Sequence, residues 1–194
     1  MLLARAVPAA LVAVFITFSA DHSVGIGWLS LAVFGVLGGA LIAIGSAWML
    51  RGLPSTLLTI QGVALVLVGT VAAFGTITLP VTAYIAALTG GFVVSGALEL
   101  VVGLRSRGLT PVARDWTFLG ATSIVFGLAV LLIPTDLSQA ITIPDKTVPN
   151  LTASVVAVGA LGAYAAVVAV YTGIAALSFK WIRNPGRVDA EGVA

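Results

Sequence analysis

Positive charge in this chain falls almost entirely in alternate gaps between six long apolar segments. Eight of the nine Lys and Arg residues lie in these gaps, namely Arg5, Arg51, Arg105, Arg107, Arg114, Lys180, Arg183 and Arg187. Lys146 lies in one of the intervening gaps, which together hold three of the seven acidic residues, Asp21, Asp136 and Asp145. Because basic residues near the end of a span are retained on the cytoplasmic side, the pattern predicts six membrane spans with both termini in the cytoplasm.

Composition predicts the same class of protein. Hydrophobic residues make up 60% of the 194 residues and charged residues only 8%, with a mean hydropathy of +1.18. A helical span needs about 20 apolar residues, so six spans leave room only for short connectors. We therefore expect an all-α integral membrane protein, with one bundle over residues 1–187 and a polar cytoplasmic tail over 188–194. The predicted spans are about 4–20, 28–50, 53–75, 79–104, 116–133 and 152–182.

The first apolar segment has two interpretations. Thr17 and Ser19 near its end could supply a weak signal-peptide cleavage site, but we expect a retained span. Tryptophans support the threading, since Trp48, Trp116 and Trp181 fall at inner span ends and Trp28 at an outer one, where such rings prefer the interface. The sequence thus predicts a multi-pass protein of the inner, or plasma, membrane whose principal partner is the lipid bilayer.

Enzymatic and cofactor-binding motifs are absent from the sequence. The chain has no cysteine and a single histidine, which excludes disulfides and thiolate metal sites and removes most nucleophilic mechanisms. It has no nucleophile elbow, phosphate-binding glycine loop or His-Glu metal motif. The basic residues are accounted for by membrane orientation, so no nucleic-acid partner is expected. We predict a protein that is not an enzyme and needs no cofactor.

One ionisable residue, Glu99, lies clearly within a predicted span. A charge in the bilayer costs about 2.5 to 3.5 kcal/mol on insertion scales, which makes an intramembrane acid a candidate functional site. Glu99 lies near the inner end of its span, and we expect it to pair with Arg51 or Arg105. Gln61, with Thr59, is predicted at a similar depth as a hydrogen-bonding partner. The alternative is a proton or cation site on a transport path.

The external side offers two weaker candidates. His22 beside Asp21 could sense acid, although one histidine in a turn is more often incidental. The loop over residues 135–151, which carries Asp136, Asp145 and Lys146, is expected to be a solvated connector, with a lid or partner contact as the alternative.

Small residues form stripes along two predicted spans. Gly35 and Gly39 make a GxxxG pair, and Ala87, Gly91 and Ser95 form a second stripe. Such stripes let helix backbones approach closely in a membrane. We expect them to pack within the bundle, with self-association or contact with other membrane proteins as the alternative.

Glycines also repeat at long range. Gly62 and Gly69 recur 58 residues later as Gly120 and Gly127, while Gly-Ala-Leu at residues 39–41 recurs 57 residues later at 96–98. Two agreeing offsets predict a repeated helical hairpin, and Gly173 extends the pattern to three hairpins related as parallel repeats. The first span carries no matching glycines.

This repeat carries a family resemblance. Gly62-x6-Gly69 with Leu79-Pro80, then Gly91 to Leu98 with Arg105, and Gly120-x6-Gly127 with Ile133-Pro134, resemble the HdeD-type acid-resistance membrane proteins. The resemblance covers mainly residues 57–134, while the long external loop departs from the family's compact hairpins. It implies a non-enzymatic bacterial inner-membrane protein in envelope or acid-stress tolerance. The alternatives are a small transporter or channel that uses Glu99, and an accessory subunit of a larger membrane complex.

Overall fold

The computed structural model describes residues 2–76, 79–139, 142–143, 146–147 and 150–183, with side chains over 5–76, 79–139 and 150–178. Helices dominate these residues, and the only strands among them are four two-residue strands in the loop before the last helix. The helices are α1 Leu2–Phe18, α2 Val24–Val33, α3 Gly39–Met49, α4 Gly52–Gly75, α5 Val81–Arg105, α6 Ala113–Leu131 and α7 Ala153–Arg183. The π-helical turn Phe34–Gly38 joins α2 and α3 into one continuous helix, the α2–α3 helix.

Five of the helices are long and apolar enough to cross a membrane, the α2–α3 helix among them. The first, α1, has 17 residues, or about 25 Å at 1.5 Å per residue, which is short for a 30 Å hydrocarbon core. The helix bounds lie within a few residues of the predicted spans. The chain is an all-α protein with the helices of a multi-pass membrane protein.

The turns that join these helices follow from the local sequence. Gly52 has a φ of 66° and Gly108 a φ of 77°, a region of backbone conformation that glycine enters at little cost. Gly52 thus lets α4 begin directly after α3, and Pro54 sits in the first turn of α4, where its missing N–H is harmless. Pro8 lies inside α1, only one turn beyond Arg5.

Three helix pairs make the closest packing in the bundle: α1 with α7, the α2–α3 helix with α4, and α5 with α6. The first and last helices therefore pack on each other. The other two pairs are formed by helices that are neighbours in the chain and joined by short basic turns.

The pair formed by the α2–α3 helix and α4 is held together at glycines. A Cβ atom built at Gly62 would lie 2.6 Å from the carbonyl oxygen of Gly39 and 2.5 Å from the amide nitrogen of Ala43. One at Gly69 would lie 2.6 Å from the amide nitrogen of Val36. Since real Cβ contacts are longer than this, the two backbones touch here only because side chains are absent.

The pair formed by α5 and α6 has the same kind of contact. A Cβ atom at Gly120 would lie 2.7 Å from the carbonyl oxygen of Gly96 and 2.5 Å from the amide nitrogen of Leu100. One at Gly127 would lie 3.1 Å from the carbonyl oxygen of Thr89. The glycines that the sequence places at repeated spacings thus lie at helix–helix contacts in both pairs.

The predicted small-residue stripes are used unevenly. Gly35 and Gly39 both lie against the backbone of α4. Gly91 makes no comparably close contact, because a Cβ there would meet only the side chain of Val68, at 3.7 Å, which is ordinary van der Waals distance. Gly96, on a different face of α5, makes the close approach to α6 instead. Ser95 is buried but makes a hydrogen bond to a side chain, described below.

Two of the tryptophans predicted at the membrane interface lie in the protein interior. Trp28 is 2% exposed, packs edge-on against Tyr84 and donates from Nε1 to the carbonyl oxygen of Leu79 at 3.3 Å. Trp116 is 4% exposed, whereas Trp48 is 82% exposed at the end of α3. The indole N–H of Trp28 therefore finds its polar partner in the protein.

The loop between α6 and α7, over residues 135–151, is partly structured. β1 Ser138–Gln139 pairs antiparallel with β4 Leu151–Thr152, and β2 Thr142–Ile143 pairs with β3 Lys146–Thr147. The first pairing brings the two ends of the loop together above α6 and α7. Asp136 is exposed, while Asp145 and the side chain of Lys146 lie outside the described residues.

Candidate functional site: a buried polar cluster where six helices meet

The centre of the site is an ion pair between α1 and α5. Both terminal nitrogens of the Arg5 guanidinium donate to the carboxylate of Glu99, Nη1 to Oε1 and Nη2 to Oε2, the latter at 3.0 Å. Glu99 is 1% exposed and Arg5 9% exposed. A two-point contact of this kind fixes the relative position of α1 and α5 as well as neutralising both charges.

The position of the pair follows from where each residue lies in its helix. Arg5 comes three residues after the start of α1, and Glu99 six residues before the end of α5. The pair therefore lies toward the end of the bundle at which α4 and α6 begin and α5 ends.

The predicted partners of Glu99 were wrong. Arg51 and Arg105 are both exposed, and Arg5–Glu99 is the ion pair found among the described side chains. Arg51 and Arg105 are exposed near the ends of helical hairpins, whereas Arg5 lies on the one face of α1 that is buried against the bundle, with Ala9, Val12 and Ile16. Thr59 also points elsewhere and bonds to Ser46 at 2.9 Å.

Gln61 joins the cluster from α4. Its amide nitrogen, Nε2, donates to Ser95 Oγ at 2.9 Å and to Glu99 Oε2 at 3.3 Å. Gln61 is 1% exposed, and its carbonyl oxygen, Oε1, is buried without a hydrogen-bond partner in the structure. The structure thus brings Gln61 and Glu99 together and adds Ser95, four residues before Glu99 on the same face of α5.

A second polar pair lies close by. Ser123 on α6 and Tyr164 on α7 are joined through their hydroxyls at 2.7 Å, and Ser123 also donates to the carbonyl oxygen of Leu119 at 2.8 Å. Tyr164 therefore acts as the donor to Ser123. Its ring packs against Phe92 and Phe126, with centroids 4.7 Å and 4.6 Å away, which fixes its orientation.

Both polar groups line one cavity of about 20 Å³. The helix α1, the α2–α3 helix and the helices α4 to α7 all contribute to its wall. The lining includes Arg5, Pro8, Phe34, Gly38, Ile42, Gln61, Leu65, Phe92, Ser95, Glu99, Ser123, Tyr164 and Val168. The π-helical turn contributes both of its end residues, Phe34 and Gly38. Such turns widen a helix locally and are often found at functional sites.

His22 and Asp21 follow the end of α1, whereas Arg5 lies near its start, so they are separated from this cluster by the length of that helix. His22 is half-buried in the turn between α1 and α2 and lines an open groove with Asp21, Asn150 and Thr152. Asp21 accepts hydrogen bonds from the amide and the hydroxyl of Ser23, at 2.8 Å and 3.0 Å. Among the described residues no three His, Cys, Asp or Glu side chains lie close enough together to hold a metal.

Chemically, the cluster is a neutralised pair of charges with hydrogen-bonding neighbours. Burying two ions is costly, but removing one partner costs more because it leaves a single buried charge. The cluster therefore holds α1, α4 and α5 in one arrangement. It presents no nucleophile with an adjacent base and no free carboxylate, since Glu99 already accepts three hydrogen bonds.

Sequence reasoning missed Arg5, Ser123 and Tyr164. In the sequence, Arg5 is interpreted only as one of the basic residues that predict orientation, although it lies within the first apolar segment. The four-residue spacing of Ser95 and Glu99 places both on one helix face and was an available signal. Ser123 and Tyr164 are hydroxyls in apolar helices, and only the packing brings them together.

Comparison with known proteins adds no further assignment. No protein-family model, no curated protein and no solved structure matches this chain.

Proposed function

We propose that this chain is a non-enzymatic multi-pass protein of the bacterial inner membrane, with both termini in the cytoplasm, that contributes to envelope or acid-stress tolerance. The role is the one that the resemblance to HdeD-type proteins implies. The observation that carries the non-enzymatic part is the pairing of Glu99 with Arg5, because it commits the intramembrane acid to holding helices together. The bilayer is the proposed partner.

The glycine contacts support an internal repeat as part of this proposal. Gly39 meets Gly62 as Gly96 meets Gly120, and these positions are offset by 57 and 58 residues. The repeating unit is then the pair of helices joined by a basic turn. In that arrangement α7 and α1 occupy the place of a third pair. Gly173 on α7 does not extend the glycine contacts to this pair, because a Cβ there meets no atom within 4 Å.

The test of the stress role is survival in acid. We expect deletion of the gene to lower survival at low external pH, and expression of the wild-type chain to restore it. A Gly62→Val variant, which should not fold, is the control for the expression plasmid itself and should fail to restore survival. Unchanged survival after deletion would overturn the role.

Orientation is tested separately by fusing a reporter that is active only in the cytoplasm to each connection. The basic turns after α3 and α5 should report from the cytoplasm, and the loop over residues 135–151 from outside. The reverse pattern would contradict the proposed topology.

A second candidate, a small transporter or channel, is favoured by one observation: all six spans line a cavity that contains Glu99 and Gln61. This role requires the Arg5–Glu99 pair to open, because a cavity of about 20 Å³ holds one water and no substrate. It predicts that Glu99→Gln abolishes a proton or cation flux in proteoliposomes while the protein still folds. Absence of flux in the wild-type protein would remove this candidate.

A further inference from the structure

The unpartnered oxygen of Gln61 points to a ligand in the central cavity. The oxygen belongs to a side chain that is 1% exposed, and it has no hydrogen-bond partner in the structure. A buried carbonyl oxygen without a donor has lost its hydrogen bond to water without replacing it, so such an atom usually has a bound partner. Gln61 also lines the cavity, which places a space for that partner beside it.

The orientation of the Gln61 amide is set by its neighbours. If the amide were turned over, its oxygen would face the carboxylate oxygen of Glu99, now 3.3 Å from Nε2, and two acceptors would oppose each other. The nitrogen must therefore face Glu99 and Ser95, and the oxygen cannot be satisfied by exchanging the two atoms.

Size and charge limit what the cavity can hold. Its volume of about 20 Å³ exceeds the roughly 10–15 Å³ that one water needs and is far too small for an organic molecule. A cation is disfavoured because Arg5 already neutralises Glu99, and an anion because the carboxylate faces the same space. A neutral donor of hydrogen bonds fits best.

We infer that the cavity is a binding site for a single water molecule, which donates to Gln61 Oε1 and to the hydroxyl oxygen of Ser123 or Tyr164. The Ser123 hydroxyl donates to Leu119 and the Tyr164 hydroxyl donates to Ser123, so neither of these two protons is available to Gln61 Oε1, and the water supplies that donor. The water connects the Arg5–Glu99–Gln61–Ser95 group with the Ser123–Tyr164 pair. This inference does not rest on the proposed function.

Gly38 gives a test whose sign separates a filled from an empty cavity. Gly38 is buried and lines the cavity, yet a Cβ built there has no atom within 4 Å. In Gly38→Ala the added methyl takes up cavity space. If a water is bound, the methyl displaces it and the melting temperature in lipid nanodiscs falls; if the cavity is empty, the temperature rises.

Gly90→Ala is the matched control. Gly90 is exposed on α5, and a Cβ there also meets nothing within 4 Å, so this variant reports the gain in helix propensity alone. A Gly38→Ala protein that is as stable as Gly90→Ala, or more stable, overturns the inference. In a protein that carries Gln61→Leu, adding Gly38→Ala should no longer lower the melting temperature, because no carbonyl oxygen at residue 61 remains to lose its water.

A crystal structure of the wild-type chain in a lipidic phase tests the site directly. One peak of water density within hydrogen-bond distance of Gln61 Oε1 is expected, unchanged when sodium is replaced by rubidium. An anomalous rubidium signal at that position would show that a cation and not a water is bound there. A cavity without density would also overturn the inference.

A second inference rests on a separate groove at the turn between α5 and α6. The residues that line it include Arg107, Thr110 and Arg114, together with Phe118 and Ala121 of α6; its volume is about 430 Å³. Both arginines are exposed. The neighbouring acid, Asp115, does not line this groove and accepts a hydrogen bond from Tyr171 at 2.8 Å.

The geometry points to an anionic phospholipid as the occupant. A groove at the end of two spans lies at headgroup level, its two guanidinium groups complement a phosphate, and Phe118 with Ala121 continues into an apolar surface for an acyl chain. Because the groove has both a basic and an apolar part, a lipid fits it better than free phosphate does.

Native mass spectrometry of the full chain, exchanged into phosphatidylglycerol or phosphatidylcholine, tests this site. We expect phosphatidylglycerol to be retained at higher collision energy, and Arg107→Gln/Arg114→Gln to lose that retention at least severalfold. Arg51→Gln/Arg105→Gln is the control, since both arginines are exposed and outside the groove. Equal retention of the two lipids, equal loss in the control, or competition by inorganic phosphate alone would overturn the inference.

Discussion

The pair formed by the α2–α3 helix and α4 and the pair formed by α5 and α6 share a packing pattern but differ in polarity. In both, two glycines seven residues apart on one helix lie against the backbone of the other. At the cavity, however, Ile42 in the first pair stands 57 residues before Glu99 in the second, and Gly38 stands 57 before Ser95. Close backbone approach and the polar cluster are therefore set by different residues.

This difference explains why the glycine contacts occur in both helix pairs while the buried ion pair occurs once among the described residues. Glycine contacts need only the absence of side chains, so they can occur at matching positions in both pairs. A buried carboxylate needs a specific partner, and α1 supplies one guanidinium, Arg5. A second carboxylate at position 42 would have no second arginine among the described cavity-lining residues.

The largest effect is expected from breaking the shared glycine contacts. Gly62→Val and Gly120→Val should each prevent a stable bundle, because the new side chain would overlap a backbone oxygen that cannot move without separating the helices. The measurement is the yield of monodisperse protein in detergent. Gly90→Val, at an exposed and open position on α5, is the control, and tolerance of valine in one pair alone would show that the two contacts are not equivalent.

Breaking the ion pair should have the next largest effect. Arg5→Met or Glu99→Leu alone leaves one unpaired buried charge and should cost about 3–5 kcal/mol of unfolding free energy. The double variant should cost less than either single change. Ile42→Leu, at the corresponding position of the other pair, should cost less than about 1.5 kcal/mol. Unfolding in a graded detergent mixture measures all four, and additive losses in the double variant would contradict a direct interaction.

Alanine substitutions at two glycines of α5, Gly96 and Gly91, test which of the two lies at the contact with α6. Gly96→Ala should destabilise by about 1–3 kcal/mol, because its methyl would lie 2.7 Å from the carbonyl oxygen of Gly120. Gly91→Ala should be neutral or stabilise by up to about 1 kcal/mol, since its methyl meets Val68 at an ordinary distance. Thermal unfolding measures the stability of both variants. A larger loss of stability at Gly91 would support the small-residue stripe that the sequence predicts as a packing face.

The smallest effect is expected at the edge of the polar cluster. Tyr164→Phe removes the donor to Ser123 and should cost about 0.5–1.5 kcal/mol. Tyr171→Phe removes a bond to Asp115 in a less buried place and should cost less, because water can replace the hydroxyl. Tryptophan fluorescence during thermal unfolding measures the stability of both variants. An equal loss of stability would mean that burial does not strengthen the hydrogen bond between Ser123 and Tyr164.

Helix number, helix bounds and fold class could be predicted, since each depends on the length of an apolar run and on local turn residues such as Gly52 and Gly108. The candidate site was predicted only in part. Glu99 and Gln61 stand out in the sequence as polar groups in apolar helices, but the pattern of charges favours Arg51 or Arg105, at the ends of neighbouring helices, as the partner of Glu99. Arg5 lies 94 residues away in the chain, and no local pattern indicates that α1 reaches α5.

By itself, the sequence determined that this chain forms long apolar helices joined by short turns, because burying about 20 apolar residues per helix in lipid is a local property of each segment. The tertiary structure decided which helix faces meet. It placed Trp28 and Trp116 in the interior, made Gly96 and not Gly91 the close contact, and paired Glu99 with Arg5. Such choices depend on the fit and charge of surfaces from distant segments, which exist only once the helices have packed.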